Sequence, residues 1–169
     1  MPAKSLRNFR SYAAMEALNI VLVPGAVLLL APPGNWAEIL AMGIAMAACA
    51  GFLFVGAAYW AGLDQRLTTS NRSAMTRALT LAHRLEIPLL LITAAALPML
   101  AFAIYNGGWS WPVIGAALLT VLAALEYINY YHRQLQHFDR PSDFKRLMTG
   151  SGFRRSHMAR DLAAYRNGR

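Results

Sequence analysis

The sequence predicts an all-α membrane protein, with four transmembrane helices folded as two antiparallel hairpins and short amphipathic cytoplasmic helices in the middle loop and C-terminal tail. Three observations predict it. Only 14% of the 169 residues are charged and 57% are hydrophobic, whereas a soluble domain carries about 25% charge. Four apolar runs, over 13–31, 37–61, 87–105 and 111–131, are each near the ~20 residues that cross a hydrocarbon core about 30 Å thick. All 16 Lys and Arg residues lie on one side of these runs.

The runs pair because the connections after the first and third are short and made of turn residues, Pro32-Pro33-Gly34-Asn35-Trp36 and Asn106-Gly107-Gly108-Trp109-Ser110. Neither connection holds a basic residue. Lys4, Arg7 and Arg10 precede the first run, Arg66, Arg72, Arg77 and Arg84 separate the second from the third, and nine more follow from Arg133 onward. Basic residues accumulate on the cytoplasmic side of membrane proteins, so both termini and the middle loop are expected there, in a bacterial inner membrane. Trp36, Tyr105, Trp109 and Trp111 then mark one interface and Tyr59, Trp60, Tyr130 and Tyr131 the other. Residues 1–135 form the expected bundle and 136–169 a basic cytoplasmic tail.

The first run is longer than a signal-peptide core and reads as a retained anchor. Glu16 and Asn19 share one face near its cytoplasmic end, with Tyr12 a turn earlier. Pro24 and Gly25 interrupt it at mid-depth, where a kink must be met by a neighbouring helix. In the second run Gly43, Ala47 and Gly51 recur at every fourth position, the spacing that lets another helix approach closely. That face serves packing inside the bundle or contact with another chain.

Between the second and third runs Leu67, Met75, Leu79 and Ala82 recur at near-helical spacing among basic residues, the pattern of a helix lying on the membrane surface. His83 and Glu86 follow on one face, and Pro88 is expected just inside the start of the third crossing. Pro98 adds a second mid-membrane proline. The fourth run ends in Glu126-Tyr127-Ile128-Asn129-Tyr130-Tyr131-His132-Arg133, in which Glu126, Asn129, Tyr130 and Arg133 form one stripe and His132 points away from it. In the tail, a helix is expected from Pro141 with Phe144, Leu147 and Met148 as its apolar edge, and another from Ser156 with Met158, Leu162 and Tyr165 on one side. Basic residues on the other faces suit anionic lipid head groups or a partner.

This topology brings Glu16, Asn19, His83, Glu86, Glu126, Asn129, Tyr130 and His132 to one end of the bundle as a candidate polar site. An intramembrane carboxyl such as Glu126 faces the bundle interior or a wet cavity, where it either holds helices in register or binds a metal, proton or ligand. The pattern falls short of a known metal set. A dinuclear carboxylate centre needs Glu-x-x-His pairs on two helices, and only the reversed His83-x-x-Glu86 is present. His83 and His132 sit at the membrane edge, an unfavourable place for bis-histidine haem. Cys49 is the sole cysteine, which leaves thiol metal cages and internal disulfides out, and no phosphate-cradling loop is present. The net charge of +8 is membrane-directed rather than a nucleic-acid footprint. No complete catalytic set appears. The sequence therefore points to an accessory or interaction protein that binds a membrane partner or copies of itself, with a redox or ion-transport site at the cytoplasmic end as the alternative; its cofactor and metal are left open.

Overall fold

A computed structural model describes residues 3–135 and 154–168, with side chains from Phe9 onward. The described residues form five helices: α1 (Ala3–Leu30), α2 (Trp36–Thr68), α3 (Arg72–Gly107), α4 (Trp111–Tyr131) and α5 (His157–Arg166). Four of them, α1 to α4, are long and apolar enough to cross a membrane by length and composition. The only strand-like pairing among the described residues is an isolated bridge between Arg133 and Arg155. The helix expected from Pro141, with Phe144, Leu147 and Met148, lies outside the described residues.

Local chemistry sets the helix ends. The Asn35 side chain accepts the Glu38 amide at 3.0 Å and starts α2, meeting one of the amides that a helix N-terminus leaves without a partner. Asn71 does the same for α3 through the Ala74 amide at 3.3 Å. Gly108 ends α3 at φ 72°, a left-handed conformation that costs glycine little and other residues more. Pro112 then lies in the first turn of α4, where its missing N–H is not needed.

Helix α2 is the centre of the core. Ala41, Met42, Ala45, Ala48, Cys49, Phe52, Val55 and Tyr59 are all buried along it, and alanines of the other helices, Ala96, Ala103, Ala116 and Ala123, are buried with them. Small side chains let backbones come close, and in lipid that packing, not hydrophobicity, holds helices together. Phe52 meets Tyr127 and Tyr131 of α4 at ring distances of 5.9 and 6.3 Å.

One element departs from expectation. The middle segment is not a loop bearing its own surface helix: α2 continues to Thr68, α3 begins at Arg72, and only Thr69 to Asn71 separate them. Of the predicted stripe, Met75, Leu79 and Ala82 are buried, but as the first turns of α3, while Leu67 is exposed in the last turn of α2. Pro88, expected near a helix start, lies well inside α3, which runs through both Pro88 and Pro98. The apolar stripe before Pro88 has a protein surface to bury against, and that outweighs the hydrogen bond lost at the proline.

Candidate functional site

The candidate residues separate into two groups at the end of the bundle where α5 docks. The first is built by α1 and α4. Glu16 is buried, and its Oε1 accepts a hydrogen bond of 2.7 Å from the Tyr130 hydroxyl. Tyr130 is itself buried, and the Glu126 carboxyl also lies within reach of its hydroxyl. The Asn129 amide donates to Glu126 Oε2 at 3.4 Å while its Oδ1 accepts the Leu135 amide at 2.9 Å. Asn19 is half-buried a turn along α1 from Glu16. Of the predicted stripe, Glu126, Asn129 and Tyr130 gather with Glu16, whereas Arg133 is exposed at its end.

Tyr130 reaches Glu16 because α2 makes room for it. A side-chain carbon on Gly56 would overlap the Tyr130 hydroxyl and ring, so a residue without Cβ is required there. Gly56 was not among the residues that the sequence pattern singled out; the only sign of it is a glycine inside an otherwise bulky apolar turn.

The second group lies on α3. His83 is exposed and Glu86 half-buried, and both are engaged by Arg166 at the end of α5: the guanidinium pairs with Glu86 and donates to His83 Nδ1 at 3.1 to 3.3 Å. His132 joins neither group. It is exposed at the end of α4, edge-on to Tyr127 at 5.0 Å. Among the described residues no three His, Cys, Asp or Glu side chains are grouped so as to hold a metal ion.

Helix α5 begins at Ser156, as the sequence predicts, and its apolar side is the predicted one. Its partner is the chain's own bundle: Met158 and Leu162 are buried in the core cluster, which Tyr165 packs against. Polar contacts fix the dock. The Ser156 hydroxyl donates to the Tyr130 carbonyl at 2.6 Å and accepts the Ala159 amide at 3.0 Å, so one side chain caps the start of α5 and meets a carbonyl that the end of α4 leaves open. The Tyr59 hydroxyl donates to Asp161 Oδ2 at 2.8 Å, and Thr80 and Tyr165 share a hydrogen bond of 2.9 Å. Tyr59, expected only as part of an interface belt, thus also anchors α5.

At the opposite end Glu38 ties two turns together. Its Oε2 accepts the Gly34 amide at 2.8 Å and its Oε1 the Ser110 hydroxyl at 2.5 Å. Glu38 was not among the residues singled out from the sequence; the signal that could have found it is the Asn35-x-x-Glu38 pair before an apolar run, a helix-start pattern. The predicted packing face on α2 is divided. Gly51 packs against Leu89 of α3, whereas Gly43 and Ala47 are exposed and a side-chain carbon at Gly43 would meet no atom within 4 Å. Compared with protein-family models, curated proteins and solved structures, the chain has no match.

Proposed function

We propose that this chain is an integral protein of a bacterial inner membrane, N-in and C-in, that works as an accessory or interaction component and associates through a membrane-exposed face of α2. The hairpin reading is supported by contacts between helix ends. Phe9 and Tyr12 of α1 pack on Trp60 late in α2, and the Tyr131 hydroxyl at the end of α4 donates to the Ala82 carbonyl in the first third of α3 at 2.7 Å. The distribution of basic residues supports a cytoplasmic α5 end. There the outward Arg155 and Arg160, both exposed, meet anionic head groups.

The observation that carries the association is the exposed pair Gly43 and Ala47. Gly43 and Ala47 stand outside the bundle one turn apart, and a side-chain carbon at Gly43 would meet no atom within 4 Å, so another helix can approach the α2 backbone closely there. That helix belongs to a second copy or to a membrane partner. The test is native mass spectrometry of protein extracted in a mild detergent, beside the Gly43→Leu variant. The reading expects a second polypeptide or a second copy bound to the unaltered protein and lost in Gly43→Leu. A bare monomer in both cases overturns it.

A further inference from the structure

The turn between α2 and α3 is tight, because the Thr69 and Asn71 amides both donate to the Gln65 carbonyl, at 3.0 and 3.4 Å. It sets Arg66, in the last turn of α2, and Arg72, the first residue of α3, on one cleft of about 390 Å³. Met75 and Leu79, buried residues of α3, and Asp161 and Tyr165 of α5 line the rest of it. The α5 side is held in place by the Tyr59 to Asp161 and Thr80 to Tyr165 hydrogen bonds. Three helices thus build one cleft beyond the cytoplasmic ends of the apolar runs.

Proton counting shows what the cleft offers a ligand. The Thr76 hydroxyl donates to the Arg72 carbonyl at 3.1 Å and the Thr80 hydroxyl to the Thr76 carbonyl at 2.9 Å, so Tyr165 is the donor in the bond it shares with Thr80. A hydroxyl has one proton, and both hydroxyls that line the cleft, Thr76 and Tyr165, have used theirs. Asp161 can only accept, and one of its oxygens already takes the Tyr59 hydroxyl. The side-chain donors are therefore the two guanidiniums, always charged and each a planar fork of N–H groups that fits carboxylate or phosphate oxygens. A carboxylate's two oxygens lie in one plane and suit one fork. The tetrahedral oxygens of a phosphate diverge and suit two forks that arrive from different helices.

We infer that this cleft binds a phosphate group between Arg66 and Arg72. Arg66 stands about 9 Å along α2 beyond Trp60, at 1.5 Å per residue, and tryptophan marks the membrane interface, beyond which the head-group layer is roughly 5–8 Å deep. At that level the phosphate belongs to an anionic lipid or to a soluble phosphorylated molecule. The inference rests on the reading of α2 and α3 as membrane-crossing helices and is independent of association through Gly43, near the other end of α2.

The test uses the delipidated full chain in dodecyl maltoside, with the unfolding midpoint as readout. One arm adds phosphatidylglycerol, beside an equal mole fraction of diglucosyl-diacylglycerol, which has the same acyl chains and no phosphate. The other adds sodium phosphate, beside sodium chloride of equal ionic strength. A ligand that binds only the folded state stabilises it, so a rise of several degrees over the control is expected. A rise with phosphatidylglycerol identifies lipid as the source, and a rise with inorganic phosphate alone a soluble molecule. The rise is lost in the double variant Arg66→Gln, Arg72→Gln and in Ala164→Phe, which fills the cleft and leaves its charges in place. It persists in the double variant Arg155→Gln, Arg160→Gln, which removes as much charge elsewhere. Arg66, Arg72 and Ala164 are exposed, so these changes spare the core. No rise in either arm overturns the inference, as does a rise that survives the Arg66 and Arg72 changes or Ala164→Phe, or one lost equally when Arg155 and Arg160 are replaced.

Discussion

Glu38 and Glu16 each keep only 6% of their surface exposed, and they stand at opposite ends of the same bundle. Glu38 meets donors at both oxygens, the Gly34 amide and the Ser110 hydroxyl, and is covered by the two turns it joins. Its cover is thin, whereas Glu16 is surrounded much more densely by helices. Yet the more deeply set carboxyl is the one with less support, a single hydroxyl donor and a second carboxyl nearby. Buried polar groups in structural roles are usually hydrogen-bonded in full. Glu38 follows that rule at both oxygens and Glu16 at one.

The contrast can be broken most severely through Gly56. Gly56→Val drives two methyl groups into the space of the Tyr130 ring and is expected to destabilise the fold by about 3 kcal/mol, the upper part of the usual range for overpacking. Unfolding followed by tryptophan fluorescence checks this, and unaltered stability would show that Tyr130 need not sit where it does. Next in size is Glu38→Ala, which leaves the Gly34 amide and Ser110 hydroxyl without their acceptor. Water or head groups recover part of that loss under so thin a cover, so about 2 kcal/mol is expected.

Ser156→Ala removes the cap of α5 and the donor to the Tyr130 carbonyl, at a cost of about 1 kcal/mol. Its effect is local, so hydrogen exchange should speed up over residues 157–166 before the rest of the bundle responds. Arg166→Ala stands last. The guanidinium is 41% exposed, solvent screens its pairing with Glu86, and less than about 1 kcal/mol is expected.

Much of the architecture was legible because it depends on patterns that lipid enforces. Four apolar runs and two turn-rich connections are visible in composition alone, and the helix starting at Ser156 showed its cap and its apolar side. The first half of α3 was misread because Met75, Leu79 and Ala82 carry the same spacing whether a helix lies on lipid or on protein, and Pro88 looked like a beginning. At the site, Glu126, Asn129 and Tyr130 could be joined from their spacing on one helix. That Tyr130 would choose Glu16 over the His83 and Glu86 pair depends on the space left by Gly56 and on Arg166 arriving from a distant helix. Neither relation is written in local sequence. Glu38 carried a legible helix-start signal in Asn35-x-x-Glu38, but its link to Ser110, 72 residues away, exists only once the turns meet.

The most direct test of the distinction between the two carboxyls is the thermal stability of Glu16→Gln and Glu38→Gln, measured side by side in the same detergent without added ligand. Glutamine at 38 turns one of two needed acceptors into a donor, and stability should fall by about 1 kcal/mol. Glutamine at 16 still accepts from Tyr130 and relieves the crowding of two acidic groups, so stability should hold or rise. A fall at Glu16→Gln as large as that at Glu38→Gln would contradict the account and make both carboxyls fastenings.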